Sequence, residues 1–484
     1  MATTTTTHPQ RHRRVPRRRP ARPRRRSGGR PRGSRSEPGW LAQRLDERRG
    51  KKLKRRTRRS YEALQRETLG LVSVREVEKL ARDCGFYQRK PKEIRAFDFA
   101  LCCALAAMAE GKRAFASVWR LLAAAAGVEV ARSAVTPRFG EGSAQLMEEL
   151  FFRAAERLKS GPCPELLDRL DSFRAVLASD GSVLALSPLL KKLFPATRTN
   201  SVEAAAKLHA TADLVERRIV HVELTGERDS ELDVVRAQPS EAGTLYIHDL
   251  GYTSYDYFAE IKSAEADLLM RLKDNANPTI VAVHHGVYAP ARTVRERAGL
   301  RQASFTQSHD TFDLDAEFKT STGVVVLRVV GCYNPETDKY HCYVTTLTRE
   351  QFSPEELRTL YSLRWTIELL FKLLKSSCHL DHVDTADPAA LRTHIYASLL
   401  AATVLTTMCH AAADVHQLPA RVISPLTAGI AAPLLVLPLL FLWFGRPLTP
   451  QALADCILRV LAVGCRDQNP SRTRRKWGAL GSID

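Results

Sequence analysis

Two short apolar runs, each ending on an acid, limit what this chain can fold into more than any other feature. Ala175-Val-Leu-Ala-Ser179 runs into Asp180-Gly181, and Thr244-Leu-Tyr-Ile-His248 runs into Asp249, with Gly251 two residues on. Five apolar residues bounded by turn residues are strand-length rather than helix-length. An acid at the end of such a strand projects from the edge of a sheet, where α/β proteins place their ligand-binding groups. Between the two runs, Ala205 to Leu214 and Arg218 to Leu224 read as further strands. After Asp249 come a helix, about Ser254 to Lys262, and a strand, Asp267 to Leu272. Three adjacent strands followed by alternating strand and helix predict an α/β fold with a mixed sheet flanked by helices. An acid at a strand end is more often a turn residue, so each aspartate alone decides little.

The rest of the 484 residues divides by texture. Residues 1–60 hold 23 Lys and Arg against Glu37, Asp46 and Glu47, a net of +20. The whole chain carries 73 basic and 53 acidic residues. Subtracting the arm leaves 50 of each, so the body is neutral. An Arg-, Pro- and Ser/Gly-rich arm buries little and reads as disordered, and an anionic polymer would relieve its repulsion. A solubilising tail or a start codon placed too far upstream would leave the same trace. Residues 61–165 read as a helical DNA-binding domain, with Val77, Leu80 and Ala81 at helical spacing and basic clusters such as Arg89 and Lys90 in its connections. Residues 166–274 mix strands and helices, 275–350 read as β-rich, 351–415 return to helices, and 416–484 read as a helical C-terminal region with a basic tail. The ten cysteines include no C-x-x-C pair, which argues against zinc modules and a secreted disulfide scaffold. No signal peptide is expected. The apolar run Ala431 to Phe444 is short and contains Pro433 and Pro438, and so reads as a core helix or hairpin rather than a membrane span.

Pro354 opens a helix expected to reach about Lys375, with Ser353 as its N-cap. At about 100° per residue, with Tyr361 as zero, Arg364 falls near −60°, Glu368 near −20° and Lys375 near −40°. Leu363, Ile367, Leu370, Phe371 and Leu374 take the opposite face. One carboxylate is thereby aligned with two cations and a phenol. An amphipathic surface helix with an Arg364–Glu368 ion pair is the plain alternative. What weighs against it is that Asp180, Asp249 and Glu368 together supply three hard oxygen ligands of the kind Mg²⁺ or Mn²⁺ prefers.

Tyr361, Arg364, Glu368 and Lys375 meet the spacing Y-x2-R-x3-E-x6-K at every position. In this the chain resembles the DDE transposases of insertion-sequence family four. Ser179-Asp180-Gly181-Ser182 looks like that family's first motif, and Asp249-Leu-Gly251-Tyr252-Thr-Ser254, with Phe258 and Ile261, looks like the second. Lys207-Leu-His209 through Asp213-Leu214 is similar to the strand pair between them, and Phe86 with Arg89-Lys90 fits the helical N-terminal region. The likeness spans roughly residues 75–405. It implies a ribonuclease-H-like catalytic domain with a β-rich insertion before the glutamate. It also implies two-metal phosphoryl transfer with Mg²⁺, Mn²⁺ substituting, at Asp180, Asp249 and Glu368. Tyr361, Arg364, Lys372 and Lys375 would contact DNA, as would Arg89 and Lys90, while Lys207 and His209 are expected to be structural. The partners implied are the double-stranded terminal inverted repeats and target DNA, held by a homodimer in the cytoplasm of a bacterium, on its nucleoid, with no membrane. Hairpin-forming members carry a Trp in the insertion, where this chain has only Tyr333, Tyr340 and Tyr343. A catalytically silent DNA-binding descendant of a transposase and a simple nuclease of the same fold stay open. A tyrosine recombinase is disfavoured, because its H-x-x-R motif occurs only at His8–Arg11.

Overall fold

In this computed structural model, the structure describes residues between 58 and 458. Stretches 88–92, 110–114, 123–131, 159–166, 198–201, 286–298, 301–310, 419–422 and 445–448, with some single positions, fall outside the description. Residues 1–57 of the basic arm, Arg89 and Lys90 therefore lie outside the described residues.

The strands are β1 (Ala175–Leu186), β2 (Ala204–Asp213), β3 (Arg218–Gly226), β4 (Thr244–His248), β5 (Asp267–Arg271), β6 (Thr279–His285), β7 (Phe312–Thr320), β8 (Gly323–Asn334) and β9 (Lys339–Thr345). They form one nine-stranded sheet in the order β3-β2-β1-β4-β5-β9-β8-β7-β6. Strands β1, β2 and β3 pair antiparallel, while β4 and β5 join parallel to β1. Parallel neighbours need a crossover, and a helix at Tyr255–Ser263 supplies it between β4 and β5. The alternating stretches read from the sequence as an all-β insertion form β6 to β9. Strand β9 pairs with β5 and the remaining strands follow antiparallel, so they extend the same sheet. A period of two marks a strand but does not say which edge it joins.

Strand β1 also differs from expectation. The five-residue run was to end at Asp180-Gly181, yet β1 continues through both residues to Leu186, paired with β2 as far as Leu186–Ala204. The parallel pairing with β4 stops at Ala178–Ile247. Asp180 thus sits inside a strand, just where one neighbour has ended.

Helices cover both faces of the sheet. The principal ones are α1 (Val74–Asp83), α2 (Ala96–Met108), α3 (Glu141–Glu156), α4 (Glu231–Arg236), α5 (Tyr255–Ser263), α6 (Pro354–Ser362), α7 (Trp365–Ser376), α8 (Pro388–His416) and α9 (Ala432–Phe444). Ser353 caps α6 as expected, with Glu356 reaching back to complete a capping box. The chain does not continue as one helix to Lys375. Leu363 and Arg364 bond back to Leu360 and Tyr361, at 3.1 Å each, in a tight three-residue turn that separates α6 from α7. Helix α8 packs against α2 and α3, so the N-terminal and C-terminal helices share one hydrophobic cluster with β1, β2 and α7. A second cluster, built on Tyr252, Phe258, Leu268, Phe318 and Val344, fills the other face. All ten residues of β2 are buried. Helix α8 is long and apolar enough to cross a membrane, but 89% of its most apolar window is buried within the protein. The expectation about membranes weighed only the run at 431–444, which forms α9 with Pro438 inside it.

Candidate active site

The site begins with register. Ala178 and Ile247 are the last paired residues of β1 and β4. Asp180 stands two residues further along β1, and Asp249 stands two residues beyond Ile247, just past the end of β4, where it caps a short turn at Leu250–Tyr252. Each is oriented by the glycine that follows it. The Gly181 amide donates to Asp180 Oδ1 at 2.9 Å, and the Gly251 amide donates to Asp249 Oδ1 at 2.7 Å. Burial pushes the Asp180 carboxyl up to about 6, and the charges of Asp249 and Glu231 push the same way. The Gly181 amide and Arg364 oppose them.

Glu368 stands on the first turn of α7, which lies over β1 and β2. The Lys375 ammonium donates to the Val183 carbonyl at 2.9 Å, fastening α7 to β1 three residues past Asp180. Glu368 is engaged by Arg364, whose Nη2 lies 2.5 Å from Glu368 Oε1. The Arg364 guanidinium also lies 5.7 Å from the Tyr361 ring and 6.0 Å from the Trp365 ring. In the tight turn the i,i+3 pair eclipses, which sets Arg364 over Tyr361. The continuous 100° arithmetic holds from Arg364 to Lys375 but not across the turn. Burial opposes the Arg364 charge, yet Tyr361, Glu368 and Asp249 outweigh it and raise its pKa. Arg364 therefore feels all three carboxylates while pairing with one of them.

Among the described residues, no group of three His, Cys, Asp or Glu side chains is placed to hold a metal ion. Glu368 is turned to Arg364, and the triad is open. Asp180 and Asp249 nevertheless fit a hard divalent cation. Their donors are carboxylate oxygens, and beside the buried Asp180 the charges of Asp249 and Glu231 add to its own. Lys207 and His209, expected to be structural, are both buried. The Lys207 ammonium donates to the Asp229 carbonyl at 3.0 Å, and His209 Nε2 pairs with the Thr225 hydroxyl at 2.8 Å.

Beside Asp249 opens a cleft of about 280 Å³ lined by Arg271, His341, Tyr343, Arg358, Tyr361, Arg364 and Trp365. Tyr361 and Arg364 were singled out from the sequence, while Arg271, His341, Arg358 and Trp365 were missed. Two signals could have found them. Arg358 is three residues before Tyr361 on the same helix face, and Arg271 closes β5 as Asp249 follows β4. Trp365, 47% exposed, forms with exposed Leu369 and Lys372 the open face of α7.

Residues 171–404 match the family described as Transposase DDE domain, and that range contains the two aspartates and the helix bearing Glu368. The chain is similar to a transposase for insertion sequence element IS231F from Bacillus thuringiensis subsp. israelensis, at 22% identity over 67% of this chain and 75% of that protein. An 87-residue segment is 36% identical to the transposase for IS421 of Escherichia coli, covering 18% of this chain and 24% of that one. A piggyBac transposase in a synaptic complex with hairpin DNA overlaps 86% of this chain and 89% of its own, at 9% identity and a TM-score of 0.40. Residues 171–404 thus form a DDE transposase domain, and the chain is similar to transposases of insertion sequences.

Proposed function

We propose that this chain is a transposase that binds the terminal inverted repeats of its own insertion sequence, cuts them, and joins the freed 3′-OH to target DNA. Asp180, Asp249 and Glu368 are its catalytic carboxylates. The observation that carries this is the placement of Asp180 within β1 and Asp249 just past the end of the adjacent parallel β4, each two residues beyond their last paired residues, with Glu368 on a helix fastened to β1. The order β3-β2-β1-β4-β5, three strands antiparallel and two parallel, supports a ribonuclease-H-like core, and the Y-x2-R-x3-E-x6-K spacing supports membership of insertion-sequence family four.

Asp180 and Asp249 would hold two Mg²⁺ or Mn²⁺ ions, with Glu368 completing the set once Arg364 releases it. Such an ion supplies Lewis-acid activation of the attacking oxygen and charge for the leaving one. The chain's own residues do the rest. An incoming phosphate offers the Arg364 guanidinium a bidentate partner in place of Glu368. Among the described residues Arg364 Nε has no hydrogen-bond partner, so it keeps a donor for that contact. Arg271 and Arg358 add positive charge along the cleft, and Tyr361 and Trp365 offer ring faces to nucleotides. Lys375 gives one donor to Val183 and keeps two for a phosphate. Lys372 adds charge on the open face of α7. Two copies would hold the two ends together on a bacterial nucleoid.

The test is strand transfer in Mg²⁺ with duplex ends taken from the DNA flanking the coding sequence. Joined products are expected. Binding without cutting would indicate a silent descendant, and cutting without joining would indicate a nuclease.

A further inference from the structure

Both aspartates are followed by glycines that the backbone does not require. Neither Gly181 nor Gly251 has positive φ, a conformation found among the described glycines only at Gly85, Gly243 and Gly323. What they lack is room. A Cβ at position 181 would come within 2.8 Å of Glu231 Oε1, and one at position 251 within 3.0 Å of Asp249 Oδ1 and 3.7 Å of Glu231 Oε2. The two oxygens of one carboxylate thus face the two residues whose amides orient Asp180 and Asp249. Glu231 opens α4, between β3 and β4, and is a long way in sequence from either aspartate. It is held from behind by Lys207, whose ammonium lies 3.4 Å from Glu231 Oε1 and donates to the Asp229 carbonyl at 3.0 Å. The Lys207 side chain is 8% exposed, a buried charge that demands a partner.

We propose that Glu231 is a positioning residue of the active centre, fixed by Lys207 and packed on Gly181 and Gly251 so that both aspartate turns meet a divalent cation in a preset arrangement. A neutral side chain of the same shape would fill this space without like-charge repulsion. The carboxylate serves Lys207 without metal, and when a cation arrives its charge also strengthens the binding it organises. The inference rests on Asp180 and Asp249 being ligands, and its test separates the two claims.

The test uses the full chain and Mn²⁺ alone, measuring Mn²⁺ affinity by titration and the melting temperature with and without Mn²⁺. Glu231→Gln should weaken Mn²⁺ binding about 10- to 100-fold, the usual effect of removing a group that orients ligands. The melting temperature without metal should fall, because buried Lys207 loses its charged partner, so Mn²⁺ affinity is the readout that separates the two roles. Gly181→Ala, which pushes the end of Glu231 aside, should weaken binding in the same direction, and it decides the matter should Glu231→Gln fail to fold. A lower metal-free melting temperature with wild-type Mn²⁺ affinity would make Glu231 a structural filler and overturn the proposal. Asp180→Asn and Asp249→Asn serve as the reference. If they lose Mn²⁺ and Glu231→Gln does not, only this inference fails. If they keep it, the assignment of the aspartates fails as well.

Discussion

On the proposed reading Arg364 answers to two partners, Glu368 and an incoming phosphate, and which one it holds would define the state of the site. Paired with Glu368 and stacked on Tyr361, it neutralises a carboxylate that a cation would otherwise share. Arg364→Ala should weaken binding of transposon ends about tenfold and reduce the slope of log affinity against log salt by about one, as loss of a single phosphate contact does. An unchanged slope would restrict Arg364 to serving Glu368. Farther from the chemistry, burial pushes the His209 imidazole down to about 4, and the nearby Lys207 charge adds to that. A histidine depressed in the folded state contributes stability above its ordinary value of about 6.5, which is lost as pH falls toward the folded value. Denaturation should therefore show stability falling by about 2–3 kcal/mol between pH 6.5 and 4 through this residue alone. His209→Gln, which can still pair with Thr225, should flatten that stretch, and a curve superimposable on wild type would remove His209 from the account. The two aspartates were legible because each ends an apolar run, and Glu368 because its spacing to Tyr361, Arg364 and Lys375 can be counted. Glu231 was not. Its place beside Asp180 is created by the β3–β4 connection, and no period in the sequence connects it to either aspartate.

Between elements, one buried ion pair joins the outer strands to the start of α6. Arg328 on β8 donates twice to Asp313 on β7, and its Nη1 also reaches the carbonyls of Leu347, Thr348 and Phe352. Both side chains are about 5% exposed. Removing one partner strands the other charge in a poorly solvated place. Asp313→Ala should therefore lower stability by about 3–5 kcal/mol, read from the denaturant midpoint. A loss under 1 kcal/mol would mean that Arg349, which also pairs with Asp313, takes no part in holding the network or that water replaces it. The sequence signalled the strands of this region but not their attachment, because alternation names a face and leaves the neighbour open. It signalled the start of α6 through Ser353, Pro354 and Glu356. It did not signal the turn at Leu363–Arg364, where no Gly or Pro interrupts the helical pattern.

At the scale of the whole molecule, charge and chemistry are separated. The excess of +20 lies in residues 1–60, and the remaining chain is neutral by count. Within the body, the cleft beside Asp249 gathers Arg271, Arg358 and Arg364. The helices on either side of the sheet in sequence meet in one core, with α8 against α2 and α3, so the carboxylate-bearing sheet rests on a base drawn from both ends of the described chain. That sharing was beyond the reach of sequence reading, which follows helices but not which helix each one faces. The central claim concerns three side chains on this frame. The most direct measurement is cleavage of a transposon-end duplex in Mg²⁺ by wild type and by Asp180→Asn, Asp249→Asn and Glu368→Gln, with end binding followed in parallel. Each variant should bind ends within about twofold of wild type and cut at least about 10³-fold more slowly, since each removes a ligand the reaction depends on. Cleavage at the wild-type rate by any one of the three would contradict the account.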